Sequence, residues 1–134
     1  MKFLHKQYQA KKKEILEVEI DRPTKIKFMT AFDFKHYKLG KTNKYFGGLF
    51  EESPVRFVVP FDSVWHIVVE KGSHYQPIEV QGRCRLLLPE RGIRSSVASD
   101  APAHVRDQAA LDASADRGSD TSEAMSEQEG RGQA

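Results

Sequence analysis

Lysine recurs at every third position in Lys35-His36-Tyr37-Lys38-Leu39-Gly40-Lys41-Thr42-Asn43-Lys44-Tyr45-Phe46-Gly47-Gly48, interleaved with tyrosines, a histidine and a phenylalanine. Ammonium groups meet phosphates, and aromatic faces stack on bases or sugars. Lys35, Tyr37, Lys38, Lys41, Lys44 and Tyr45 are therefore a candidate binding set for single-stranded nucleic acid or another anionic ligand. The competing account is a solvated loop whose rings cap the end of a β domain, because the spacing matches no recognised nucleic-acid module. Gly47-Gly48 lacks the following Lys-Ser or Lys-Thr of a phosphate loop, so a tight turn is expected there.

The other reactive side chains carry weaker signals. Trp65 reads as a core anchor, which leaves His66 pointing away from the core. His5, His36, His66 and His74 show no ligand-type spacing, so neither a metal nor a cofactor is expected. Cys84 alternates with Val80, Gly82 and Leu86 as a packed thiol would. Ser53, Ser63 and Ser73 stand in no nucleophile-elbow context, and a short chain leaves little room for a deep pocket. No catalytic residue is assigned, and the expectation is a protein that is not an enzyme.

These residues belong to the first two thirds of a 134-residue chain. Every aromatic residue lies between Phe3 and Tyr75, and no lysine follows Lys71. Beyond residue 91 the chain is mostly Ala, Ser, Asp, Gly, Glu, Gln and Arg, a composition that buries too little apolar surface to offset its ordering entropy. We therefore expect a domain over residues 1–90 and a disordered polar tail over 91–134, with Val105 to Asp116 holding some helix formers but few apolar anchors. The domain carries 16 Lys and Arg against 11 Asp and Glu, and the tail 5 against 8, so the two are oppositely charged. A basic domain is compatible with anionic partners without requiring them.

Cys84 is the single cysteine, which excludes an intrachain disulfide and points to a cytoplasmic protein. Met1-Lys2-Phe3-Leu4-His5-Lys6 breaks any apolar run too early for a signal peptide, and no stretch approaches membrane-spanning length, so no membrane partner is expected.

Period-two alternation dominates the domain. Leu16, Val18 and Ile20 alternate with Glu17 and Glu19, and Ile26 and Phe28 with Lys25 and Lys27, which predicts a hairpin turning at Asp21-Arg22-Pro23-Thr24. Val55 to Val59 and Val64 to Glu70 predict a second hairpin around Pro60-Phe61-Asp62-Ser63, central because both its faces are apolar. Ile78 to Leu88 reads as the last strand and Phe3 to Tyr8 as the first. Thr30 with Asp33 resembles a capping box, and Gly40 suits a helix end, which predicts a short helix over about 31–39.

Several blocks together resemble a known family: Met1-Lys2-Phe3-Leu4-His5-Lys6, Tyr37-Lys38-Leu39-Gly40-Lys41, Tyr45-Phe46-Gly47-Gly48, Ser53-Pro54-Val55-Arg56 and Trp65-His66-Ile67-Val68-Val69. In this order, over residues 1 to about 88, they are similar to the bacterial domain of unknown function DUF1883. That resemblance implies a β-rich bacterial domain, sometimes found beside a TIR domain in longer proteins, and it transfers no catalytic residue.

The combined expectation is an all-β fold, a small antiparallel β-sandwich or barrel of about six strands with one short helical insertion and a disordered C-terminal tail. Its core should hold Leu16, Val18, Ile20, Ile26, Phe28, Phe57, Val59, Trp65, Ile67, Val69, Val80 and Leu86. The expected function is a non-catalytic interaction or ligand-sensing module with a protein or small-ligand partner; the alternative is a nucleic-acid-binding domain using the loop at 35–46. A homodimer through exposed Val58, Val68 and Leu87 is a further expectation.

Overall fold

Strict alternation on both faces needs two covers, and the chain supplies them by stacking two antiparallel sheets and roofing each. The structure, a computed structural model, describes residues 2–72, 75–100 and 123–129. Its elements in order are β1 (Lys2–Ala10), β2 (Ile15–Ile20), β3 (Thr24–Thr30), α1 (Ala31–Lys38), β4 (Phe46–Phe50), β5 (Val55–Val58), β6 (Ser63–Glu70), β7 (Gly82–Leu87), β8 (Glu123–Ala124) and β9 (Ser126–Glu129). One sheet runs β4-β3-β6-β1-β9 and the other β5-β2-β7-β8. The fold is thus all-β, an antiparallel sandwich with one short helix, as expected.

The local pairing differs from both predicted hairpins. β2 pairs with β5 and β7, whereas β3 pairs with β4 and β6. β5 and β6 likewise lie in different sheets. The turns at 21–23 and 59–62 are therefore corners where the chain crosses the sandwich, a route that buries the apolar parity of both flanking strands in one core. Glu17 is then not a surface partner of a lysine. It is buried, with Arg56 Nε at 2.9 Å and Arg85 Nε at 2.6 Å donating to its two oxygens from the strands on either side.

Between the sheets lie Leu4, Leu16, Val18, Ile26, Phe28, Phe57, Val59, Trp65, Ile67, Val69, Val80 and Cys84. Ile20 and Leu86, expected in this core, are only partly buried at its margin. Cys84 is buried, and the Tyr8 hydroxyl donates to its carbonyl oxygen at 3.2 Å. Outside the five-stranded sheet, α1 lays Phe34 on Phe3, Met29 and Val68. Outside the other sheet, Ile93 covers Ile15 and Leu87, with Val58 alongside. Val68 and Leu87, expected to be exposed, are therefore buried beneath these roofs, and Val58 is half-buried.

Residues 91–100 extend the folded unit past the boundary drawn at 90. Ser96 N–H donates to the Arg56 carbonyl at 2.7 Å, Ser95 Oγ accepts from Val58 N–H at 2.8 Å, and Ala98 is buried. Residues 101–122 and 130–134, most of the tail expected to be disordered, lie outside the described residues, as do the helix formers of 105–116. Among the described residues no helix is long and apolar enough to cross a membrane.

Candidate functional site

The stretch that opened the sequence analysis is divided by the fold. Thr30 ends β3 and precedes α1, and Asp33 in the first turn fastens the loop that returns to β4. One Asp33 oxygen accepts from Lys44 N–H at 2.9 Å and the other from Thr30 Oγ at 3.3 Å. Asn43 donates its side-chain N–H to the Lys41 carbonyl at 3.0 Å, which leaves its Oδ1 buried and, among the described residues, without a partner. Gly47 and Gly48 sit inside β4 rather than in the expected turn, with φ of 111° and 152°. A Cβ on Gly47 would lie 2.2 Å from the Ile26 carbonyl oxygen, so only glycine allows β4 to close on β3.

This fastening opens a cavity of about 640 Å³ at one end of the sandwich, between the start of α1, the loop at 43–46 and the corner holding Phe61. Phe28, Met29 and Trp65 form its inner wall, Tyr45, Phe46 and Phe61 its aromatic mouth, and Asp33, Asn43 and Lys44 its polar side. Tyr45 is 45% exposed, and Phe46 and Phe61 are each 47% exposed, in a domain that buries most of its large apolar side chains. They continue an aromatic series from the core: Phe28 stacks on Phe57 at 4.5 Å, Phe57 meets Trp65 edge-on at 5.2 Å, and Trp65 meets Phe61 at 5.0 Å and Phe46 at 5.8 Å. Trp65 Nε1 donates to the Phe61 carbonyl at 3.1 Å, tying that corner to the inner wall.

Of the predicted binding residues, Lys44 and Tyr45 line the cavity, while Lys35, Lys38 and Lys41 are exposed on α1 and the loop outside it. Tyr37 is occupied within the fold: its hydroxyl donates to Glu70 at 2.9 Å, and Lys27 pairs with the same carboxylate at 3.1 Å. Burial first, and then the Glu70 charge, push the Tyr37 hydroxyl far above its ordinary range. Lys27 Nζ lies 5.2 Å from the Tyr37 ring and 4.5 Å from the Tyr45 ring, so one cation holds both tyrosines. Phe61 escaped the sequence reading because it sits in a turn-like run, where a large apolar ring among Pro, Asp and Ser was the available signal.

His5 and His66 form a second cluster that sequence spacing could not reveal. β1 and β6 lie side by side, and both rings point outward beneath α1, with His5 Nε2 2.8 Å from His66 Nδ1. Phe34 stacks on each at 4.4 Å, and Lys38 Nζ lies 4.7 Å from the Phe34 ring. His66, expected to point away from the core, does so but is buried by the helix. Burial, then His66 and the nearby Lys38 and Lys6, lower His5 to about 4; burial and Lys38 lower His66 as well. Among the described residues no three His, Cys, Asp or Glu side chains gather as metal ligands.

A family model described as a domain of unknown function (DUF1883) matches residues 1–83 of this chain. Neither the curated proteins nor the solved structures contain a match.

Proposed function

Because the chain belongs to the DUF1883 family of domains of unknown function, we propose from its own geometry that it is a non-catalytic binding module. Its ligand is a planar ring with a hydrogen-bond donor on its edge and an anionic group attached, the chemistry of a nucleotide. One observation carries this reading: three half-exposed rings, Tyr45, Phe46 and Phe61, converge on a cavity whose polar side holds the unpartnered Asn43 Oδ1 and Lys44. Exposed aromatic rings provide stacking faces, an orphan acceptor is satisfied by a ligand donor, and a lysine at the rim neutralises phosphate. Asp33 is engaged by Lys44 N–H and Thr30, a role in holding the loop rather than in proton transfer.

The exposed Lys35, Lys38 and Lys41 beyond the cavity favour a single strand over a free mononucleotide, because they offer further phosphate contacts. Trp65, the single tryptophan, walls the cavity and is a built-in reporter. The full chain is titrated with adenosine monophosphate and with a single-stranded oligonucleotide of about eight nucleotides, each at about 50 and about 200 mM salt. Saturable quenching by the strand, weakened steeply by salt and lost about tenfold or more in Phe46→Ala or Phe61→Ala, is the expected result. Quenching by the mononucleotide alone assigns a free ligand. No change in Trp65 emission with either probe at low salt overturns the proposal.

A further inference from the structure

The described C-terminal residues occupy a defined seat on the sandwich. β8 adds to the edge of one sheet, pairing Glu123 with Cys84 and Ala124 with Arg83. β9 adds to the edge of the other, pairing Ser126 with His5, Glu127 with Leu4, Gln128 with Phe3 and Glu129 with Lys2. A single extended segment thus closes two sheet edges at once, turning at Met125, whose N–H donates to the Gly82 carbonyl at 3.2 Å.

The seat is selective at three points. Met125 packs against the main core, and a Cβ on Gly82 would lie 3.1 Å from its Sδ, so the glycine makes the recess that the methionine fills. Lys71 Nζ holds Glu127 Oε2 at 2.5 Å. The receiving strands bring Lys2, Lys6 and Arg83, whereas the segment Glu-Ala-Met-Ser-Glu-Gln-Glu is acidic. β1 and Gly82 lie within the residues matched by the family model, and the occupant lies beyond them.

From this we infer that the paired edges of β1 and β7 are a docking site for an extended acidic peptide with a central methionine, and that residues 123–129 are this chain's own tethered copy of that ligand. Strand addition supplies backbone hydrogen bonds, while the Gly82 recess and Lys71 supply specificity. The tethered copy protects two edges that would otherwise pair indiscriminately, and an incoming peptide must displace it. Because the segment belongs to the same chain, it competes with any incoming peptide at every protein concentration.

The test uses the full chain and a fluorescein-labelled peptide of residues 121–131, read by anisotropy. Met125→Lys in the chain empties the recess; Glu127→Lys removes only the ion pair with Lys71 and so keeps the test alive if the first variant fails to fold. The peptide is expected to bind the variants about tenfold or more tighter than the wild-type chain, whose own segment competes. Adding Gly82→Val to either variant, or Met→Lys to the peptide, is expected to abolish that binding. Equal binding to wild type and variants, binding indifferent to Gly82→Val, or no binding to a folded variant overturns the inference.

Discussion

Acidification should loosen the helix roof through the His5–His66 pair, and the size of the effect follows from the burial of the two rings. In the unfolded chain each histidine titrates near 6.5. In the native protein His5 is lowered to about 4 by burial and by His66, Lys38 and Lys6, and His66 is lowered too. A depressed pKa means that the unfolded chain takes up the proton first. The stability associated with the neutral pair is therefore intact above about pH 6.5 and is lost as pH falls towards about 4. His5 alone, with 1.36 kcal/mol per unit of pKa, gives about 2 kcal/mol between pH 7 and pH 5 before solvent screening. Because the ring keeps partial access to water, about 1 to 2 kcal/mol is expected. Urea unfolding followed by Trp65 emission at pH 7, 6 and 5 measures the loss, and the difference between wild type and His5→Gln isolates the part due to His5. NMR titration of the His5 ring should give a midpoint below 5. A midpoint near 6.5, or a pH dependence unchanged in His5→Gln, would refute the reasoning.

Four substitutions test the fold and the cavity separately. Gly47→Ala places a methyl 2.2 Å from the Ile26 carbonyl at a φ of 111° and should cost about 2 kcal/mol, seen as a lowered urea midpoint at unchanged slope. Glu17→Leu leaves Arg56 and Arg85 facing each other across β2 without their carboxylate; a loss of about 3 kcal/mol is expected in the same assay, and less than 1 kcal/mol would show that solvent already satisfies the arginines. Tyr37→Phe should cost about 1 to 2 kcal/mol through the lost bond to Glu70 while leaving ligand quenching of Trp65 unchanged, whereas Tyr45→Ala should weaken quenching with little effect on stability.

Strand parity was legible in the sequence wherever one face is apolar: Leu16 and Val18, Ile26 and Phe28, and Trp65, Ile67 and Val69 are all in the core. So was α1 over Ala31–Lys38, bracketed by Thr30 and Gly40 as expected, although Thr30 makes no side-chain cap bond to the helix and its hydroxyl donates to the Asp33 side chain instead. Strand partners were not legible, because alternation gives the face a residue occupies and says nothing about which strand lies beside it. Glu17 shows the difference. Its parity was read correctly as outward, yet the outer face is roofed and the neighbours are arginines distant in sequence. The cavity was half legible for a similar reason: Lys44 and Tyr45 share a loop with the other lysines, but Phe61 and Trp65 reach it only after β6 has been placed beside β3.

The two corner crossings bear on how the chain finds this fold. Since β2 does not pair with β3, nor β5 with β6, the consecutive strands that do pair, β3 with β4 and β7 with β8, are separated by a helix or by a long stretch of chain. The central strand of the larger sheet takes both its partners from afar, Phe3 meeting Glu70 and Ile26 meeting Val69. Loop-closure entropy is then spent before contacts repay it, the regime of high contact order, in which folding takes milliseconds to seconds. Among the described residues no strand pairs with the next across a short turn, so the larger sheet waits on the meeting of β1, β3 and β6, which are far apart in sequence.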